Sequence, residues 1–206
     1  DTWCDTWNVM EHSTGINHEP NLGEETWIYY LAQDTIINNL TYTSVYRYWS
    51  IKDLSTSAYY AAVRFTEDKK VYVYYDNKEY LVYDFACSVG DKVTTLKSLQ
   101  STKNQIEEVE LTIKAIEVIE DLNGTKYNKY IATLDNESEI VYYERFGSEN
   151  GWYSRYYDGV TGGGVNFMVC AFDDANELQF KPVHNNELDE IENCYINETK
   201  TDVETI

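Results

Sequence analysis

Thirty-six Asp and Glu residues make paired carboxylates the most accessible catalytic device in this chain. Two carboxyl groups flanking a glycosidic bond are what glycan hydrolysis needs, but with so many carboxylates available the sequence spacing selects no pair. His12, His18 and His184 offer bases, yet no neighbouring Ser or Cys marks a nucleophile. Cys4, Cys87, Cys170 and Cys194 contain no CxxC pair, and the histidines are scattered, so zinc-site spacing is missing. Four cysteines allow three disulfide pairings, with free buried thiols as the alternative.

Asp173, Asp174, Asn176 and Glu177 form an oxygen-rich run that offers calcium ligands. The run lacks the residue order of an EF-hand loop and falls where a hairpin turn is expected, and Asp and Asn serve turns without metal. The turn reading is the stronger of the two. Thr161-Gly162-Gly163-Gly164 lacks the following Lys-Ser or Lys-Thr and the helix of a phosphate loop. Gly147-Ser148-Glu149-Asn150-Gly151 lacks the flanks of a nucleophile elbow. No cofactor is expected.

Aromatic residues are the more informative set. The chain has 20 Tyr, 6 Phe and 5 Trp against only 2 Met. Exposed Tyr and Trp beside carboxylates or amides stack on sugar rings or dock proteins. Tyr72, Tyr74, Tyr80 and Tyr83 sit near Asp76, Asn77 and Asp84, but a cross-strand ladder packed in the core explains them better. Trp152, Tyr153, Tyr156 and Tyr157 beside the glycine-rich stretch 158–164 have the better claim to a binding rim. Asn39, Asn123, Asn136 and Asn197 each open an Asn-x-Ser/Thr triplet, a pattern that an Asn-rich chain also produces by chance.

Sixteen Lys and Arg against 36 acidic residues give a net charge of −20, which repels nucleic acid and anionic lipid. No apolar run reaches the roughly 18 residues of a membrane helix. The opening Asp1-Thr2-Trp3-Cys4 has neither the basic start nor the apolar stretch of a signal peptide.

These residues need a scaffold, and the turn signals predict an antiparallel all-β one. Strands are expected at Thr26–Leu31 and Thr43–Trp49 around a tight Asn38-Asn39 hairpin. Ala58–Phe65, Val71–Tyr75 and Glu79–Phe85 form a meander, and Gly90-Asp91 turns the chain into Lys92–Leu96. Glu107–Glu120 fits both periods. Five β-branched residues favour a strand, with a bulge where the alternation slips at Ala115-Ile116. Asn123-Gly124 then predicts a hairpin into Tyr127–Leu134. Glu139–Phe146, Asn166–Phe172 and Glu177–Phe180 complete the strands, and Tyr153–Tyr157 is a further short candidate. The expected architecture is a meander of many short strands in a rolled sheet or irregular barrel, with little helix. Residues 1–25 are expected as an extension packed on the body, 26–181 as one β domain, and 182–206 as an acidic tail. A division, if present, would fall in the polar stretch 98–105.

Several segments together resemble a family of exported proteins and lipoproteins of Bacteroidetes, of the gut Bacteroides type. They include Trp7-Asn8-Val9-Met10-Glu11, Asp34-Thr35-Ile36-Ile37-Asn38 with Tyr42, and Val45-Tyr46-Arg47. Ala62-Val63-Arg64 and Lys70-Val71-Tyr72-Val73-Tyr74 follow, and then Leu81-Val82-Tyr83-Asp84-Phe85 leads to Val89-Gly90-Asp91. Glu144-Arg145-Phe146-Gly147-Ser148 with Gly151, Cys170-Ala171-Phe172-Asp173 and Cys194 complete the set. Cys87 and the triple glycine at 162–164 depart from that pattern.

The resemblance brings no assigned activity. It implies export, at the cell surface, in the periplasm or secreted, often from a lipid-anchored precursor. Cys4 does not fit as a lipidated residue, because Asp1, Thr2 and Trp3 precede it. With export, Cys170–Cys194 becomes the favoured disulfide, and Cys4–Cys87 a less secure second one. The expected function is a non-catalytic binding or interaction module whose partner is a glycan or an envelope protein. A carboxylate-based glycan hydrolase and a scaffold component of an envelope assembly are the alternatives.

Overall fold

A computed structural model of the chain describes residues 8–14, 25–49, 54–98, 106–120, 122–134, 139–149, 165–172 and 178–180. The strands are β1 (Asn8–Thr14), β2 (Glu25–Ile37), β3 (Leu40–Trp49), β4 (Ala58–Phe65), β5 (Lys70–Tyr75), β6 (Lys78–Asp84) and β7 (Lys92–Ser98). They continue with β8 (Ile106–Glu120), β9 (Lys126–Thr133), β10 (Glu139–Tyr143), β11 (Gly147–Ser148), β12 (Val165–Phe172) and β13 (Leu178–Phe180). Among the described residues the only helical element is a 3₁₀ turn at Leu54–Thr56. The protein is therefore antiparallel all-β, as its turn signals predict.

Two sheets form. The larger has eight strands in the order β13-β12-β1-β2-β3-β4-β5-β6, and the smaller five in the order β11-β10-β9-β8-β7. One of them curls toward a half-barrel. Register shifts at Leu31/Asp34, Val45/Tyr46 and Val71/Tyr72 insert extra residues into the larger sheet, and such bulges increase local twist.

Turn chemistry explains the meander. Asn38 and Asn39 take φ of 50° and 65°, and Asp76 and Asn77 take 47° and 61°. These left-handed pairs match the twist of the strands they join, and Asn and Asp enter that region at low cost. Asn123-Gly124 works differently. Only Gly124 has positive φ, at 81°, and the flanking pair is Glu120↔Lys126, so the connection is longer than a two-residue turn.

β8 is a continuous strand, so the helical alternative for 107–120 is not realised. Its bulge lies between Ile113 and Ala115, slightly before the visible slip at Ala115-Ile116. The strand Asn8–Thr14 lies inside the stretch expected as an extension. It is an interior strand, paired to β2 on one side and β12 on the other. Asn8, Glu11, His12 and Ser13 disguise it in the sequence, because backbone pairing rather than side-chain patterning holds it in place. The chain changes sheet between β6 and β7, at residues 85–91, not in the polar stretch 98–105. Gly90, with φ of 93°, permits this tight passage. Its N–H donates to the Ile113 carbonyl at 2.9 Å, and Ile113 N–H donates to the Asp91 carbonyl at 2.9 Å.

A single buried cluster draws on both sheets. Tyr29, Val45, Val63 and Val73 of the larger meet Leu111, Ile113, Tyr130 and Ile140 of the smaller. Phe85 and Tyr142 rings lie 5.8 Å apart across the junction, and Tyr130 stacks on Tyr142 at 5.0 Å. The Thr95 hydroxyl donates to the Val82 carbonyl at 2.8 Å, closing the corner between β6 and β7.

Candidate functional site: a tyrosine-covered sheet face

Alternation in β3 sends Val45 and Arg47 to the core side and Tyr42, Ser44, Tyr46 and Tyr48 to the opposite face. The register then assembles neighbours on that outer face. Tyr30 pairs with Tyr46, Tyr46 with Tyr59, Ser44 with Ala62, Ala62 with Tyr74, and Tyr74 with Glu79. The bulge at Val45/Tyr46 leaves Tyr60 as the extra residue of β4. Its ring packs 5.0 Å from Tyr29 on the core side, with the Arg47 guanidinium 4.6 Å from its centre. Tyr59 is thereby left on the outer face, 55 % exposed.

The outer rings form a connected row. Tyr30 stacks on Tyr46 at 6.0 Å, Tyr48 meets Tyr30 edge-on at 6.1 Å, and Tyr46 meets Tyr59 edge-on at 5.8 Å. Farther along, Tyr42 meets Tyr74 edge-on at 5.7 Å. Ser44 and Ala62 lie between these groups and are only 5 % and 0 % exposed. Small side chains on a solvent-side face become that buried only when their neighbours cover them, so the tyrosines form a layer over the sheet. Burial, then the neighbouring Tyr46 and Tyr74 phenols, raises the pKa of Tyr59.

One end of the layer is polar. Arg64 donates to both carboxylate oxygens of Glu79, each at 2.9 Å, and the Tyr42 hydroxyl donates to Glu79 Oε1 at 2.6 Å. The guanidinium also lies 4.6 Å from the Tyr72 ring centre. Burial alone would lower the Arg64 pKa, but its contacts with Glu79 outweigh that and raise it. Burial and Glu79 both raise the pKa of Tyr42. Beyond them Lys70 bridges Asp68 at 2.8 Å and Asp84 at 4.0 Å. Arg64, Lys70, Glu79 and Asp84 thus bring equal positive and negative charge to this face, in a chain of net −20.

The residues singled out in the sequence separate. Tyr72 and Tyr74 belong to the outer layer, whereas Tyr83 is buried and Tyr80 packs against the core. The core ladder therefore accounts for two of these four tyrosines. Trp152, Tyr153, Tyr156 and Tyr157, the glycine stretch, and Asp173, Asp174, Asn176 and Glu177 lie outside the described residues. So do Cys4 and Cys194, and Cys170 is described only as a backbone position of β12. The sequence reading missed Tyr30, Tyr46, Tyr48 and Tyr59 as a set. Their two-residue spacing in β3 was visible, but their convergence with Tyr59 depends on a bulge.

The segments that carry the family resemblance converge at the junction of the two sheets. Ser148 N–H donates to the Tyr83 hydroxyl at 3.0 Å, and the Tyr130 hydroxyl donates to the Phe85 carbonyl at 2.6 Å. Glu144 is 8 % exposed; it accepts from Lys69 Nζ at 2.6 Å and from Asn128 N–H at 3.2 Å. Cys87 is a free thiol, so it is not bonded to Cys4 in this structure. Its Sγ–H donates to the Asp84 carbonyl at 3.0 Å, and burial raises its pKa, which makes it a poor nucleophile. A void beside Tyr142, lined in part by Val82, Tyr83, Leu111 and Ile140, has room for roughly one water molecule, far less than a small-molecule site needs. Among the described residues, no group of three or more His, Cys, Asp or Glu is placed to hold a metal ion. No helix among them is long and apolar enough to cross a membrane.

No family model, curated protein or solved structure matches the chain.

Proposed function

We propose that this protein is a non-catalytic binding module that works outside the cytoplasm, at the cell envelope or in secreted form. The contact surface is the outer face of the larger sheet. One observation carries the reading: tyrosines from four adjacent strands form a continuous layer on a solvent-side face, with Tyr59 the most open ring. Tyrosine offers a large rigid contact surface and a polar tip at small cost in side-chain entropy, which suits recognition. Burying this many rings together on the outside of a sheet exceeds what the core requires, since Tyr29, Val45 and Val63 already fill the inner side.

The test is an array of immobilised glycans and peptides probed with the intact protein, Tyr46→Ala and Tyr59→Ala. Retention of one ligand class by the parent and its loss in both variants is the expected result. Retention unchanged in both would remove this face as the site. Turnover of any arrayed glycan would overturn the non-catalytic class. Cell fractionation tests the location, and recovery in the cytoplasm alone would contradict it.

A further inference from the structure

Resting on that reading, we infer that the ligand of the tyrosine face is an uncharged, extended glycan chain lying across the strands. Three features point to this chemistry. The first is charge. The protein carries −20 overall, yet on this face Arg64 is paired with Glu79 and Lys70 with Asp84. A site for a cation would keep its carboxylates unneutralised, and a site for an anion would need surplus basic groups. This face does neither.

The second feature is spacing. Tyr30, Tyr46 and Tyr59 stand on three adjacent strands, with ring centres 6.0 and 5.8 Å apart. Adjacent strands repeat at about 4.8 Å, so the row advances by about one ring per strand. That step is close to the length of one pyranose unit. An extended glycan running perpendicular to the strands therefore meets one tyrosine per sugar. The third feature is the polar end. Arg64, Glu79 and the Tyr42 hydroxyl form a connected donor and acceptor set beside the rings. A planar guanidinium and a carboxylate side by side can serve vicinal hydroxyl groups, which present donor and acceptor together. A folded protein partner is less well matched, because this layer is flat and self-packed, and strong protein anchors sit in pockets.

Three linear hexasaccharides make the test: N-acetylglucosamine hexamer (neutral), its deacetylated form (cationic) and galacturonic acid hexamer (anionic). Each is titrated calorimetrically into the parent protein, Tyr59→Ala, Tyr59→Phe and Tyr46→Ala, with thermal melts confirming that each variant folds. The expected result is preference for the neutral hexamer, with affinity unchanged between about 50 and about 500 mM salt. Tyr59→Ala and Tyr46→Ala should each weaken it about fivefold, while Tyr59→Phe, which keeps the ring, should stay within about twofold. Preference for the cationic hexamer with loss of affinity in salt would overturn the inference. So would the absence of binding by every hexamer, or peptide binding that depends on Tyr46 and Tyr59, although this last result leaves the binding-module reading intact. Glycan binding unaffected by Tyr46→Ala and Tyr59→Ala would overturn the inference and the proposed face together.

Discussion

The Tyr130 hydroxyl of β9 donates a 2.6 Å hydrogen bond to the Phe85 carbonyl at the end of β6, so a side chain of the smaller sheet holds the backbone of the larger one where the chain passes between them. The Phe85 ring also packs 5.5 Å from the Tyr130 ring. Tyr130→Phe keeps the ring and removes only the hydroxyl. It should lower stability by about 1–2 kcal/mol, seen as a lower urea midpoint with unchanged slope. A change within a few tenths of a kcal/mol would mean that this bond does not tie the sheets.

The same residue predicts behaviour in alkali. Burial pushes the Tyr130 phenol up to about 12, and burial also raises Tyr142 and Tyr143. An unfolded phenol titrates near 10. Between these values the native state holds more protons than the unfolded state, so stability falls as pH rises. Below about 10 both states are protonated and this effect is absent. Urea unfolding at about pH 9 and about pH 11 should show the loss, and Tyr130→Phe should reduce it. Stability that is flat or rising over that interval would contradict the assignment.

Lys69 and Glu144 form the other tie between the sheets. The pair joins a half-exposed ammonium to a carboxylate that is nearly buried. Solvent at the lysine end limits the coupling to about 1 kcal/mol in a double-mutant cycle of Lys69→Met and Glu144→Gln. Glu144→Gln alone should cost more than the coupling, because it also weakens the Asn128 N–H bond. A coupling energy near zero would reduce the contact to a surface pair.

Arg145 sits at φ of 80°, a left-handed conformation that side chains other than Gly, Asn and Asp adopt at a cost. Its guanidinium lies 6.0 Å from the Phe146 ring centre, so removing the side chain loses a contact as well as relieving strain. Comparing Arg145→Gly with Arg145→Ala separates the two. The glycine variant should be the more stable by about 1 kcal/mol in chemical denaturation. Equal stabilities would show that the turn relaxes without help.

Cys170 of β12 and Cys194 should be disulfide-bonded in material prepared under oxidising conditions, with Cys87 recovered as a free thiol. Closing a loop of about that length contributes roughly 3–4 kcal/mol in the chain-entropy model. Non-reducing peptide mapping decides it, and a bond from Cys87 to either residue would refute the pairing.

Local chemistry made much of the fold legible in the sequence. Asn38-Asn39 and Asp76-Asn77 pair side chains that tolerate positive φ with flanking β-branched and aromatic runs, so these hairpins declare themselves within a few residues. Ala58–Phe65 has the same bounds in the sequence reading and in the structure. Ile106–Glu120 resolves as a strand because Val109, Ile113, Ile116, Val118 and Ile119 are stiff at χ1 and fit a pleated surface. Asn8–Thr14 was hidden, because an interior strand made of polar residues is specified by the partners β2 and β12, which lie far away in sequence.

The candidate site shows the same division. Twenty tyrosines announce aromatic surface, and the alternation of Tyr42, Ser44, Tyr46 and Tyr48 puts those four on one face. Which face meets solvent, and whether Tyr59 or Tyr60 joins it, depends on the single extra residue at the Val45/Tyr46 bulge. A one-residue slip reverses every side chain beyond it. The period of two was written in the sequence, and its phase was decided only when the strands paired.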